Sequence, residues 1–264
     1  MFRVAVLIPS PPVLVPELCG GLPVDAPEHP AAQVPPLREA VVSAGRALAG
    51  QARSWTVVGV GDEDRLIGPD AVGTFRGFGA DVRVALSDSA HTRVALSDSA
   101  HIDASADPEL PLAVLIGAWL RGRVAADAVA RARIVDAAAD PQRCLDLGAT
   151  LRKEMDATAE PCGVLVVADG AATLSTRAPG YLDPRAEGAQ QRIDTALAAG
   201  DRAALAALDP ALCADIEARG RAAYQVLAGL FAADGSDPDV ETRYAAAPFG
   251  VGYQVSVWQP GTSS

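Results

Sequence analysis

The run Phe2 to Ile8 is short, apolar and rich in β-branched residues, and it stops at Pro9, Pro11 and Pro12. Proline lacks the N–H that a sheet ladder uses, so the run reads as a buried strand delivering a stiff loop from Pro9 to Pro36. From Pro35 onward, Leu37, Val41, Ala44 and Leu48 recur at helical spacing up to Gly50, and Trp55 to Val60 forms a second apolar run. Strand, loop, helix and strand in that order predict a parallel crossover unit.

Downstream, Asp81 to Leu86 and Ala132 to Val135 read as strands, and Glu109 to Arg121 and Pro141 to Thr158 as helices. Gly163 to Val167 is the clearest buried strand after the first. Asp183 and Asp209 each precede a proline, which places a capping carboxylate before a proline at the first helical position. Helices are expected from there to about Gly200, and through Tyr224 and Leu227; Val251 to Trp258 closes the chain as an alternating strand. Half of the 264 residues are hydrophobic but only 5% are aromatic, so the core must be built from Ala, Val and Leu between close-set elements. The expectation is one α/β domain over residues 1–260, a mixed and largely parallel central sheet flanked by helices, with a frayed tail at 261–264.

A formal charge of −11 opposes phosphate backbones and anionic membranes, which leaves a small molecule or a protein as partner and the oligomeric state open. The apolar run behind Arg3 is cut short by prolines with no cleavage site after it, and no stretch approaches the roughly 20 apolar residues of a membrane span. A cytoplasmic protein is expected. Cys19, Cys144, Cys162 and Cys213 are far apart without a CxxC pair, so reduced, mostly buried thiols are favoured over disulfides or zinc.

Residues 83–92 recur almost unchanged as 93–102. The repeat is too short for a solenoid unit and reads as a tandem duplication whose second copy bulges out as a surface loop or adds an edge hairpin. A sharper reading would make Asp88, His91, Asp98 and His101 a metal cluster.

Parallel sheets gather reactive groups at the carboxyl ends of their strands, and three segments occupy such places. They are Pro9 to Leu18, Gly61 to Arg65, and Ala168 to Gly170 continuing through Ala178 to Ala186. In the second, Asp62, Glu63 and Asp64 form either a solvated acidic turn or a set of oxygen ligands for a hard cation. Gly59-Val60-Gly61 is too incomplete, and too close to those acids, for a phosphate loop. Ser10 as a nucleophile would need a base, and neither of the other strand-end segments holds a histidine. In the third, Asp183 and Tyr181 suit a helix cap and a turn, while Arg185 either pairs with a carboxylate or clamps an anionic ligand beside Asp169.

The first and third segments resemble those of the class III extradiol ring-cleavage dioxygenase B-subunit family, the LigB-like and Memo-like proteins. There the first strand runs into a Pro-His-Pro-Pro loop and then Pro-Glu; here Ser10 holds the histidine position and Glu17 follows Pro16. A later strand runs into a Gly-Asp-Leu-Ser-His stretch and a Tyr-Asp-Pro-Arg turn; here Asp169 and the Gly180 to Arg185 turn are present, with Ala172 at the histidine position. The resemblance extends in order to Ala247 through Tyr253. It implies a site for ferrous iron held by two histidines and a carboxylate, with the histidines falling at Ser10 and near Asp62 and the carboxylate near Glu241. With those histidines missing, the expectation is a catalytically degenerate, metal-free relative without a cofactor. Its inherited cleft, lined by Ser10, Glu17, Asp62, Asp169, Tyr181, Asp183 and Arg185, would bind a small ligand or a protein partner. Two competing readings are an active Fe(II) dioxygenase with relocated ligands such as His29, His91 or His101, and a structural or oligomer-forming protein without ligand.

Overall fold

In the computed structural model, which describes residues 1–20, 25–90 and 106–261, the chain begins with β1 (Phe2–Ile8), α1 (Val34–Gln51), β2 (Ser54–Gly61), β3 (Arg65–Ile67), β4 (Val72–Thr74) and β5 (Arg83–Ala85). It continues through α2 (Leu112–Val124), β6 (Val129–Asp136), α3 (Pro141–Asp156) and β7 (Cys162–Val167). The last third holds α4 (Ala186–Ala199), α5 (Arg202–Ala206), α6 (Pro210–Asp215), α7 (Arg221–Leu230), β8 (Asp239–Ala246) and β9 (Tyr253–Gln259).

Seven strands form one sheet in the order β3-β6-β2-β7-β1-β9-β8. The four central strands, β6, β2, β7 and β1, are mutually parallel, and antiparallel pairs close both edges. Strand β7 lies between β1 and β2, so the β1-α1-β2 unit is a parallel crossover that leaves room for a strand arriving a hundred residues later.

Alternation along the strands divides the core in two. Val4, Val6, Ile8, Val57, Leu165 and Val167 pack with α1 and α2, whereas Ala5, Leu7, Val58, Val164 and Val166 pack with α3, α4 and α7. Burying both faces of the central strands explains why their sequences are apolar throughout. Helices α3 and α7 approach backbone to backbone: a Cβ on Gly148 would lie 2.2 Å from the Val226 carbonyl oxygen, and one on Gly229 2.2 Å from that of Leu145. A glycine at each crossing point is what lets this layer lie so close.

Several sequence-based boundaries change. The helix expected from Asp209 through Leu227 is two helices: Asp209 caps α6 through the Ala211 N–H, the chain breaks at Glu217 with φ 53°, and α7 starts after Gly220. The break is tertiary in origin, because the Gly220 N–H bonds to the Asp169 carbonyl and the Ala172 N–H to that of Ile216. Helix α4 begins after Arg185 without a side-chain cap, since Asp183 spends its carboxylate on the Arg185 backbone and guanidinium instead. Strand β5 pairs with β4 outside the main sheet, and the second copy of the tandem repeat lies outside the described residues. Strand β8 and helix α5 were not foreseen. Among the described residues no helix is long and apolar enough to cross a membrane.

Candidate functional site at the carboxyl edge of the sheet

Because β1 and β7 are neighbours and parallel, their carboxyl ends release Ser10 and Asp169 side by side. The Ser10 N–H donates to Asp169 Oδ1 at 2.8 Å and its hydroxyl to Oδ2 at 2.5 Å. A hydroxyl donating to this carboxyl makes a charge-assisted O–H···O⁻ bond when Asp169 is ionised. Burial pushes the Asp169 carboxyl above the usual carboxylate range, and the two Ser10 donors pull it partly back. Burial foremost, and then the Asp169 charge, push up the phenols of Tyr224 and Tyr253, so both stay protonated hydroxyls.

The segment after Asp169 is locked. The Gly170 N–H bonds to the Gly252 carbonyl, the Gly252 N–H to that of Ala171, and the Ala171 N–H to Gln190 Oε1 at 2.7 Å. The Gln190 side chain fills the space that a Cβ on Gly170 or Gly252 would need. Its amide also donates to Asp194, whose carboxyl is raised by burial. Ala172 is held at both ends, its N–H on Ile216 and its carbonyl on the Gly180 N–H.

The other expected site residues are distributed along this edge with different partners. Arg185, the expected ligand clamp, is engaged by Asp183 at 2.6 Å and Asp215 at 2.9 Å, so its guanidinium is already occupied by carboxylates. Glu17, Asp62 and Tyr181 are exposed and make no side-chain hydrogen bond or ion pair among the described residues; Tyr181 stands at φ 62°. In the acidic turn, Asp64 accepts from the Asp136 N–H and binds Arg143, a structural use. Gly59 and Gly61 belong to β2, where their missing side chains admit Ala113 and Ile134.

The donors needed for a ferrous site do not converge. Ser10 and Asp169 satisfy each other, His29 accepts from the Ala31 N–H at the start of a short 3-10 turn, and Glu241 pairs with Arg243 on exposed edge strand β8. His91, Asp98 and His101 lie outside the described residues. Among the described residues no group of three His, Cys, Asp or Glu side chains is arranged to hold a metal ion.

On the α3/α7 side of the sheet, a cleft of about 660 Å³ opens between the turn after β6 and the chain from α6 to the start of α7. Its walls include Ala137, Pro210, Cys213, Glu217, Arg219 and Arg221. Its volume falls in the range of small-molecule sites. Sequence reasoning missed Gln190, Arg219 and Arg221, since nothing local distinguishes them from ordinary helix and turn residues.

No family model and no curated protein matches the chain. Among solved structures it is similar to an uncharacterised protein of Escherichia coli K12, JW3007, with a TM-score of 0.53 and 12% identity, over 97% of this chain and 99% of that one. At that identity the likeness speaks for the fold alone, and for nearly all of it.

Proposed function

We propose that this chain is a cytoplasmic, metal-free and catalytically silent relative of the extradiol ring-cleavage dioxygenase subunits, which binds a small ligand at the carboxyl edge of its sheet. The observation that carries the reading is the closed Ser10–Asp169 pair: at the position where the family resemblance implies a metal-binding histidine, a hydroxyl donates to a half-buried carboxylate. A neutral hydroxyl is a poor ligand for ferrous iron beside imidazole, and a carboxylate that already accepts two hydrogen bonds is a stable structural element without a cation. The cleft on the α3/α7 side of the same edge, whose Arg219 and Arg221 flank the Gly220 that bonds to the Asp169 carbonyl, supplies the room for a ligand.

Dioxygen uptake by the full chain with added Fe(II) and a panel of catechols tests the reading. The expected result is no uptake above the protein-free blank. Iron-dependent uptake that accompanies ring opening would overturn the proposal in favour of an active enzyme with relocated ligands.

A further inference from the structure

Arg221 opens helix α7 and is only 3% exposed, yet no carboxylate pairs with it among the described residues. Its guanidinium is held by three neutral acceptors: the carbonyl oxygens of Ala137 and Ala139, at 2.7 and 2.8 Å, and Gln225 Oε1 at 2.7 Å. Those contacts use three of the five N–H donors of an arginine, leaving Nε and one Nη1 hydrogen free of described partners. A guanidinium taken out of water without a counterion carries a desolvation cost that an anion would offset. This one lines the cleft of about 660 Å³.

Three further features favour an anion there. Arg219, two residues away on the same wall, is exposed and makes no ion pair among the described residues. Helix α7 begins after Gly220 without a side-chain cap and with no acidic residue in its first turn. Cys213 contributes no negative charge, because burial raises its thiol. Among the described lining residues the carboxylate is that of Glu217, which lies against Gly180: a Cβ there would meet its Oε2 at 2.8 Å. The remaining lining is small and apolar, from Ala137, Ala138, Pro210, Ala211, Ala214 and Ala218. Two arginines without an ion pair among the described residues, in an otherwise mostly apolar lining and a chain of net charge −11, suit a small anion with an apolar body rather than a polyanion.

We infer that this cleft is a binding site for a small organic carboxylate, with buried Arg221 as its anchor and Arg219 as its second cationic contact. The inference rests on reading the carboxyl edge as a binding region and names the ligand class that region takes.

Amide chemical-shift titration of the full chain with hexanoate, its neutral counterpart hexanamide, and inorganic phosphate, each to about 10 mM to cover the weak affinities of fragments, decides the matter. Hexanoate is expected to shift amides at 137–138 and 211–222, with hexanamide at least about 10-fold weaker and phosphate weaker than hexanoate. Arg219→Gln, an exposed change, should weaken hexanoate by about 3- to 10-fold at unchanged melting temperature, with salt weakening the wild-type protein likewise. Equal binding of hexanamide, an unaffected Arg219→Gln variant, shifts confined to other regions or no shifts at all would each overturn the inference. Phosphate binding as tightly as hexanoate would overturn its organic part. Silence of the cleft toward these probes overturns the carboxylate assignment and leaves the metal-free, catalytically silent part of the proposed function to the catechol test, whereas iron-dependent ring opening overturns that function whatever the cleft binds.

Discussion

Replacing Ser10 with alanine removes the hydroxyl donor from Asp169 Oδ2 and leaves only the backbone bond to Oδ1. A hydrogen bond to an ionised group contributes about 1.5–3 kcal/mol, and its loss here strands a half-buried carboxylate oxygen. At about 2–4 °C per kcal/mol for a chain near this size, Ser10→Ala should lower the melting temperature by roughly 3–12 °C at neutral pH. The cost depends on pH with a definite sign. Burial raises the folded-state affinity of Asp169 for its proton above the unfolded value, so the folded state gives up stability as pH rises through the folded titration. Both Ser10 bonds act against that rise. Without the hydroxyl the folded titration moves further up, so the variant loses more stability than wild type as pH rises above the ordinary carboxylate range. The gap between the two proteins is therefore smallest in acid, where Asp169 is protonated in both folded states. Urea unfolding from acid to neutral pH measures it, and in an Asp169→Asn background the Ser10→Ala cost should be independent of pH. A cost below about 0.5 kcal/mol, the scale of an ordinary surface change, or one equal at both ends of the range, would refute the charge-assisted pair.

Further outcomes follow from the same geometry. Gly229→Ala, which in a free helix would stabilise by about 1 kcal/mol, should here destabilise by about 1–3 kcal/mol, because the new methyl meets the Leu145 carbonyl at 2.2 Å and backbone cannot rotate aside; chemical denaturation gives the sign, and a stabilised variant would contradict the close α3/α7 crossing. Asp140→Ala should cost about 0.5–2 kcal/mol through the loss of the cap on the Gln142 and Arg143 N–H groups, read by the same denaturation. Ser10→His alone should not create an iron site, since Asp62 is exposed in its turn and Ala172 offers no ligand; iron analysis after anaerobic Fe(II) loading and desalting checks this, and a near-stoichiometric, tightly held ion would contradict it.

How legible these features were in the sequence follows from where each one's causes lie. Strands β1, β2 and β7 are buried on both faces, so their runs from Phe2, Trp55 and Gly163 announce themselves. Strand β8 is a half-exposed edge whose Asp239-Val240-Glu241-Thr242-Arg243 stretch has no apolar run to find, and it exists because β9 supplies its hydrogen bonds. The break between α6 and α7 is invisible locally, since Ile216, Ala218, Ala222 and Val226 would suit one continuous helix; the backbone bonds from Asp169 and Ala172 impose it. For the site, Ser10 and Asp169 were recognisable as strand-end residues, but their contact depends on β7 inserting beside β1, a pairing across more than 150 residues. Arg221 reads as an ordinary helix residue until Ala137 and Ala139 close over it.

The most direct test of the account is the iron content of the full chain purified without chelators from iron-supplemented cells, in wild type and in Ser10→Ala, Asp169→Asn and His29→Ala variants. The closed Ser10–Asp169 pair predicts iron far below one ion per chain in wild type, with none of the substitutions lowering it further. Near-stoichiometric iron in wild type that disappears with any of these substitutions would contradict it.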